Sequence, residues 1–196
     1  MAKPKGPIYP LILIGQKGAV TLEGVETVKK AQAGSREAFI TLIRQHESSM
    51  YAIASGILKS KQDTVDAVQE TILHAYQGIV KLREPMYFRT WLTRILINEC
   101  RRISKHNKRI IPVDEIYNHQ GRSAEIDSNL ELIDQLNGLD VEQKEIIVLY
   151  YMEDYSVKEI TQILDLSESG VKSRLHRARL KLALLLKEPE LMEGLQ

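Results

Sequence analysis

A single cysteine, Cys100, is all the thiol chemistry that this 196-residue chain possesses. It excludes an internal disulfide and fits a reducing cytoplasm, with Cys100 as a small packing residue in a helical stretch. Aromatic residues make up 6% of the chain, with one tryptophan and two phenylalanines, and glycine and proline are sparse within its long periodic segments. That composition favours helices over sheets. Near the N-terminus, the apolar run 8–14 behind Lys3 and Lys5 is broken by Pro10 and has no small-residue cleavage site, so it does not read as a signal peptide. It is also too short to span a bilayer, which excludes direct membrane insertion through it.

Catalytic signatures are missing as well. The histidines, His46, His74, His106, His119 and His176, show no ligand spacing with cysteine or carboxylates. No glycine-rich phosphate loop occurs, and no nucleophile can be paired with a base and an orienting group. Asp63 and Asp66 share a helical face, but they read more simply as first-turn acids at a helix N-terminus. The expectation is a protein that is not an enzyme and carries no cofactor and no metal.

What is present is enough apolar residue for a core (43%) and a formal net charge of +1, which by itself says nothing of a polyanion. The distribution says more. Basic residues cluster in 101–109 and 172–181, with acids dominating between them.

Helical periodicity runs from about Glu26 to Arg109. Gly34 ends a short first helix and Ser35 begins a longer one, striped by Phe39, Leu42, Ile43, Met50, Ile53 and Ile57. Asp63 is expected to cap the next, whose apolar stripe is Val65, Val68, Ile72, Ala75, Tyr76 and Ile79. Its opposite surface carries Asp66, Gln69, Glu70 and His74. Pro85 marks a loop, and a further helix follows over roughly 87–108, with Trp91, Leu92, Ile95, Leu96 and Ile103 as core contacts. Pro112 stops the pattern, and residues 112–128, with Gly121, lack a sustained period. They read as an acidic linker through Asp114, Glu115, Glu125 and Asp127. Periodicity resumes at Leu130, Leu132, Ile133 and Leu136. Asp140 with Gln143 then forms a capping box for a helix through Ile146, Ile147 and Tyr150.

The most informative stretch lies at 155–186. Ser156 and Glu159 form another capping box, and Val157, Ile160 and Leu164 give that helix one apolar face. A short break at Asp165 and Leu166 follows, after which Ser167 can cap a second helix with Val171, Leu175, Ala178, Leu182 and Leu185 toward a core. Lys172, Ser173, His176 and Arg177 fall on the other side near its N-terminus, where a recognition helix meets base edges. Arg174, Arg179 and Lys181 add charge for phosphates. A basic helical face alone is usually just solvated. A short capped helix, a tight turn and donors at the reading end together indicate DNA binding.

The first half has a basic helix of its own. Arg101, Arg102, Lys105, Lys108 and Arg109 follow one another without an acid, just beyond Tyr87, Phe88, Trp91, Arg94 and Asn98. Rings that stack on unpaired bases beside cations that follow the backbone are what capture of a separated strand requires. Taken alone, Trp91 would more simply be a core residue.

In this order the segments AQAGSREAFITLI, DAVQETILHAY, FRTWLTRILINECRR and VKEITQILDLSESGVKSRLHRAR resemble the extracytoplasmic-function (ECF) subgroup of the sigma-70 family of bacterial RNA polymerase sigma factors. The resemblance covers about residues 26–187. It implies an all-α fold of two small helical domains joined by a flexible linker, the second a helix-turn-helix. It implies domain 2 at 25–111, a linker at 112–129 and domain 4 at 130–187, and it leaves outside the pattern an extension at 1–24 of unknown role and a tail at 188–196. The implied function is to bind core polymerase, recognise promoter elements and promote initiation, in a stress response.

By this resemblance Asp66, Gln69 and Glu70, with His74 beside them, face the clamp helices of the polymerase beta-prime subunit, and the beta flap is a further contact. Phe88, Arg89, Trp91, Arg94, Asn98, Arg101, Arg102 and Lys105 are assigned to the minus-ten element, where bases leave the stack at a cost of a few kcal/mol each. Lys172, Ser173, Arg174, His176, Arg177, Arg179 and Lys181 are assigned to the minus-thirty-five element. The acidic linker resembles the family's tether through the RNA-exit path. A cognate anti-sigma factor, often membrane-anchored, is the implied inhibitor. The sequence departs from the family pattern where a Gly-Thr pair is replaced by Ser169-Gly170, and His176 stands where members vary.

The expected state is a cytoplasmic monomer when free of polymerase. The chief alternative, a dimeric helix-turn-helix regulator, explains residues 140–186 equally well. It leaves the aromatic-basic helix and the DAVQE face without a purpose.

Overall fold

Residues 22–110, 136 and 138–186 are described in a computed structural model, and among them there is no strand. The expected extension, the linker 112–129, the apolar positions Leu130, Leu132 and Ile133, and the tail 188–196 lie outside the described residues, as does all of 1–21.

Helix α1 (Leu22–Gln32) ends where Gly34 takes a φ of +97°, a left-handed turn that any Cβ would strain. Ser35 caps α2 (Arg36–Ile57) by accepting the Ala38 N–H at 3.2 Å. Its stripe of Phe39, Leu42, Met50, Ile53 and Ile57 is buried as the periodicity predicts. Helix α3 spans Lys61–Gly78, and here the expected cap is corrected. Ser60, not Asp63, is the N-cap, because the helix starts nearly one turn earlier and the Ser60 hydroxyl accepts the Asp63 N–H at 3.3 Å. The Asp63 carboxylate instead accepts from Asn107 of α4 at 2.8 Å. Tyr76, expected in the core, is 55% exposed and touches it only through an edge contact with Phe39 at 5.1 Å.

Two short 3-10 turns, Ile79–Lys81 and Pro85–Tyr87, lead into α4 (Phe88–Ile110). Gln32 ties α1 to this connection by donating to the Ile79 and Leu82 carbonyls at 3.1 and 2.6 Å.

In the second half both capping boxes form, Asp140 with Gln143 and Ser156 with Glu159. The first opens α5 (Val141–Ile147), which runs into a π-helical turn, Val148–Met152. The second opens α6 (Val157–Leu164), and α7 (Glu168–Leu186) follows. Val171, Leu175, Ala178 and Leu182 are buried, whereas Leu185, expected with them, is 45% exposed and lies against Gly138 at the edge.

The halves do not stand apart. Helices α2 and α4 pack against α5, the π turn and α6, so that one apolar core runs through both. Val148 reaches into the notch left by Gly56 of α2, where a Cβ would stand 2.7 Å from one of its methyls. Tyr155, from the turn before α6, is fully buried. Its hydroxyl pairs with that of Thr93 at 2.6 Å and its ring lies 3.8 Å below the Arg89 guanidinium.

Candidate nucleic-acid and polymerase interfaces

The turn before α7 is built from local hydrogen bonds. Asp165 takes a φ of +58°, in the left-handed conformation that short acidic side chains tolerate, and closes α6 with its N–H on the Thr161 carbonyl. Ser167 then accepts the Gly170 N–H at 3.1 Å, and its hydroxyl meets that of Ser169 at 3.0 Å. The Ser169-Gly170 departure thus has a local use. The Ser169 hydroxyl is turned back on the cap, and Gly170 leaves it room, since a Cβ would come within 3.2 Å of Ser167 Oγ.

Beyond that cap, Lys172, Ser173, His176, Arg177 and Lys181 all point outward and are exposed. Lys172 has Glu168 within 3.9 Å, a solvated pair of little energetic weight. The two other basic candidates face inward. Arg174 pairs with Glu142 at 3.0 Å. Arg179 lies over the Tyr150 and Tyr151 rings at 5.6 and 5.4 Å, with a buried Nε that has no hydrogen-bond partner among the described residues. Both brace α7 on α5 and the π turn.

On α4 the candidates divide by depth. Phe88 belongs to the core, 2% exposed and edge-on to the His46 ring at 5.4 Å, so its ring is not offered to a base. Burial lowers the His46 pKa, with Arg89's charge acting the same way and a hydrogen bond from Nδ1 to the Leu42 carbonyl opposing. Trp91 is half-buried, tilted against Phe88 at 5.9 Å, and Gly78 makes room for its ring. Asn98, Arg102 and Lys105 are exposed. Arg102 is held by Glu99 at 2.7 Å. The Arg109 side chain lies outside the described residues.

The remaining arginines of this face are occupied by the second half. Arg89 donates to the Glu153 carbonyl at 2.6 Å. Arg94 reaches the Gln162 carbonyl at 3.4 Å and the Asp165 carboxylate at 3.7 Å. Arg101 grips both oxygens of Glu145, Nε to Oε1 at 2.7 Å and Nη2 to Oε2 at 2.6 Å. Burial pushes the Glu145 carboxyl above its ordinary pKa, and the paired guanidinium pulls it back. The Ser49 hydroxyl donates to the buried Glu153 carboxylate, adding α2 to the same seam.

Sequence reasoning missed Glu145, Glu153 and Tyr155. Nothing in the run EQKEIIVLYYMEDY separates an acid that faces another domain from one that faces water.

On α3, Gln69 is exposed and Asp66 and Glu70 are half-buried, with Asp66 accepting from Gln62 at 2.9 Å. His74 approaches Glu99 at 3.2 Å. These groups therefore form one polar edge shared by α3 and α4. Exposed apolar Leu73 lies beside it.

Two sequence-family models match the chain, "Sigma-70 region 2" at residues 42–110 and "Sigma-70, region 4" at residues 129–182. The ECF RNA polymerase sigma factor SigM of Mycobacterium tuberculosis is 31% identical over 184 residues, covering 92% of this chain and 93% of that protein. Among solved structures, CnrH in complex with the cytosolic domain of CnrY superposes with a TM-score of 0.67 at 27% identity, covering 84% of this chain and 97% of the other. The sigma factor RpoE of Bartonella quintana, in complex with the anti-sigma factor NepR, shares the fold, with a TM-score of 0.64 at 23% identity over 76% of this chain and 97% of the other.

Proposed function

The chain belongs to the ECF sigma factors of the sigma-70 family, and from that premise we propose which surfaces carry each part of a sigma factor's work. Region 4 reads the minus-thirty-five element through the outward side of α7, with Lys172, Ser173, His176 and Arg177 at base edges and Lys181 on a phosphate. A bidentate base contact there contributes about 1–3 kcal/mol of discrimination. Region 2 holds the opened minus-ten strand on α4, using Trp91 and Asn98 with Arg89, Arg94, Arg101, Arg102 and Lys105.

The edge formed by Asp66, Gln69, Glu70 and His74 docks on core polymerase, at the beta-prime clamp helices, and region 4 meets the beta flap. A polar, acid-bearing surface beside an apolar stripe suits a basic partner. Control by an anti-sigma factor is the regulation we infer, since related sigma factors are found in such complexes. The chain supplies specificity and strand capture and no chemistry of its own.

The single observation that carries this reading is the presence, in order on one chain, of a region 2 with an aromatic and basic helix and a region 4 whose last helix turns a basic face outward. A dimeric helix-turn-helix regulator accounts for the second alone. In vitro transcription with bacterial core polymerase, with and without this protein, on genomic fragments is the test. New start sites that depend on the protein are expected. Their absence with folded protein and a matched core overturns the proposal.

A further inference from the structure

The arginines assigned to the opened strand are not waiting empty. Arg101 is met by the two oxygens of the Glu145 carboxylate in a fork-on-fork geometry, which is also how a guanidinium grips a phosphate. Arg89 lies 3.8 Å over the Tyr155 ring, as it would stack on the face of a base. Arg94 is met by the Gln162 carbonyl and the Asp165 carboxylate. At Arg89, Arg94 and Arg101, anion and aromatic face therefore recur in the chemistry of a single strand and come from region 4, whereas Arg102 is held by Glu99 of its own helix.

We propose that this surface of region 4 is an intramolecular mimic of single-stranded nucleic acid, filling the strand-binding face of region 2 so that region 4 and the opened promoter strand exclude one another. The inference rests on the strand-holding role given to α4 above.

Three further observations fit a competitive device rather than a permanent joint. Asn98 and Lys105 on the same helix stay exposed, so an incoming strand has an edge on which to begin. The outward side of α7 is left free, so closure blocks strand capture and leaves duplex reading open. And the Arg101–Glu145 pair is a contact of the kind that roughly breaks even against its own desolvation, because both partners are solvated again on separation. The seam can therefore be exchanged for another ligand of similar chemistry.

The test uses the full chain without polymerase. Dyes on Gln77→Cys and Leu184→Cys report separation of the halves by energy transfer. A short fluorescein-labelled single-stranded oligonucleotide, read by anisotropy on unlabelled protein, reports strand affinity. Glu145→Gln weakens the grip on Arg101, and Gly56→Ala crowds Val148 without touching either nucleic-acid surface.

Variants that separate the halves are expected to bind the oligonucleotide about tenfold more tightly than the unaltered chain, and by reciprocity the oligonucleotide should lower energy transfer in the chain with neither substitution. Separation with no gain in affinity overturns the mimicry, and so does oligonucleotide binding that leaves energy transfer unchanged. If either substitution unfolds the protein, the reciprocal measurement decides alone. Transcription with core polymerase keeps the two ideas distinct. A chain that supports initiation but shows no such coupling loses only the mimic, whereas one that supports no initiation loses the sigma-factor assignment of surfaces.

Discussion

Val148 stands over Gly56 so closely that a Cβ on the glycine would come within 2.7 Å of a Val148 methyl. Gly56 is one residue from the end of α2 and has an ordinary helical backbone, so it is not there to turn the chain. It is a notch, and what fills it comes from the other half of the molecule. Both residues are fully or nearly fully buried.

Gly56→Ala should therefore act on the seam and spare the helix. Alanine favours a helix over glycine, while an added methyl against the stiff, β-branched Val148 costs the docked state about 1–3 kcal/mol. The expected outcome is an expanded particle by small-angle scattering with undiminished helical circular dichroism. A radius of gyration equal to that of the unaltered chain would show that the halves accommodate the methyl.

Lys144 gives the seam a dependence on pH. It is 3% exposed and its ammonium lies 3.5 Å from the Ile57 carbonyl of α2. Burial, helped by the charge of Lys59, lowers its pKa from 10.5 to about 8. Insofar as α2 supplies that burial, the docked form gives up the Lys144 proton more readily than the undocked one. As pH rises from about 8 toward 10.5, the undocked form binds more protons than the docked one, so docking strengthens. Energy transfer between the halves should rise between about pH 8 and 10. Lys144→Met should flatten that rise, and a slope that survives in the variant would assign the effect elsewhere.

Much of this was legible in the residues. The capping boxes at Asp140 and Ser156 and the turn after Gly34 formed as the sequence implied, because each is a local hydrogen-bond or dihedral rule. So did the outward side of α7, which follows from helical spacing once Val171 and Leu175 are known to be inside. Differences arose where a distant element decides. Phe88, Arg174 and Arg179 have the chemistry of ligand contacts, and in the structure tertiary neighbours meet all three. Asp63 lost its place as cap to Ser60, since either residue could have started the same periodic run. The docking of the halves left no periodic trace, because an acid such as Glu145 on an amphipathic helix reads alike whether it meets water or Arg101.

Cys100 should be inert in the native chain. It is fully buried, and burial pushes its thiol pKa well up, with the negative charges of Glu145 and Glu99 acting in the same direction. The thiolate is the reactive form. An aromatic disulfide reagent is expected to label no thiol at neutral pH until denaturant is added. Prompt labelling of folded protein would show that the helix α4 opens locally far more often than its packing indicates.

Reading and opening should separate cleanly by substitution. Arg177 is exposed on α7 and its side chain makes no hydrogen bond or ion pair among the described residues, so Arg177→Ala should weaken use of the upstream element with stability unchanged. Loss of one base contact corresponds to about 1–3 kcal/mol, seen as a weaker promoter footprint with polymerase present. Trp91 is half-buried, so Trp91→Ala costs some packing on Phe88 and Gly78 as well as a stacking surface. A stacked base contributes about 1–3 kcal/mol, and its loss should appear as fewer permanganate-reactive thymines in the opened region, at an upstream footprint that is unaltered. A pre-melted promoter distinguishes the ring's function from its packing, because it should restore initiation to the Trp91 variant and give no help to the Arg177 variant. Rescue of both, or of neither, would mean that α4 and α7 do not divide the work between strand and duplex.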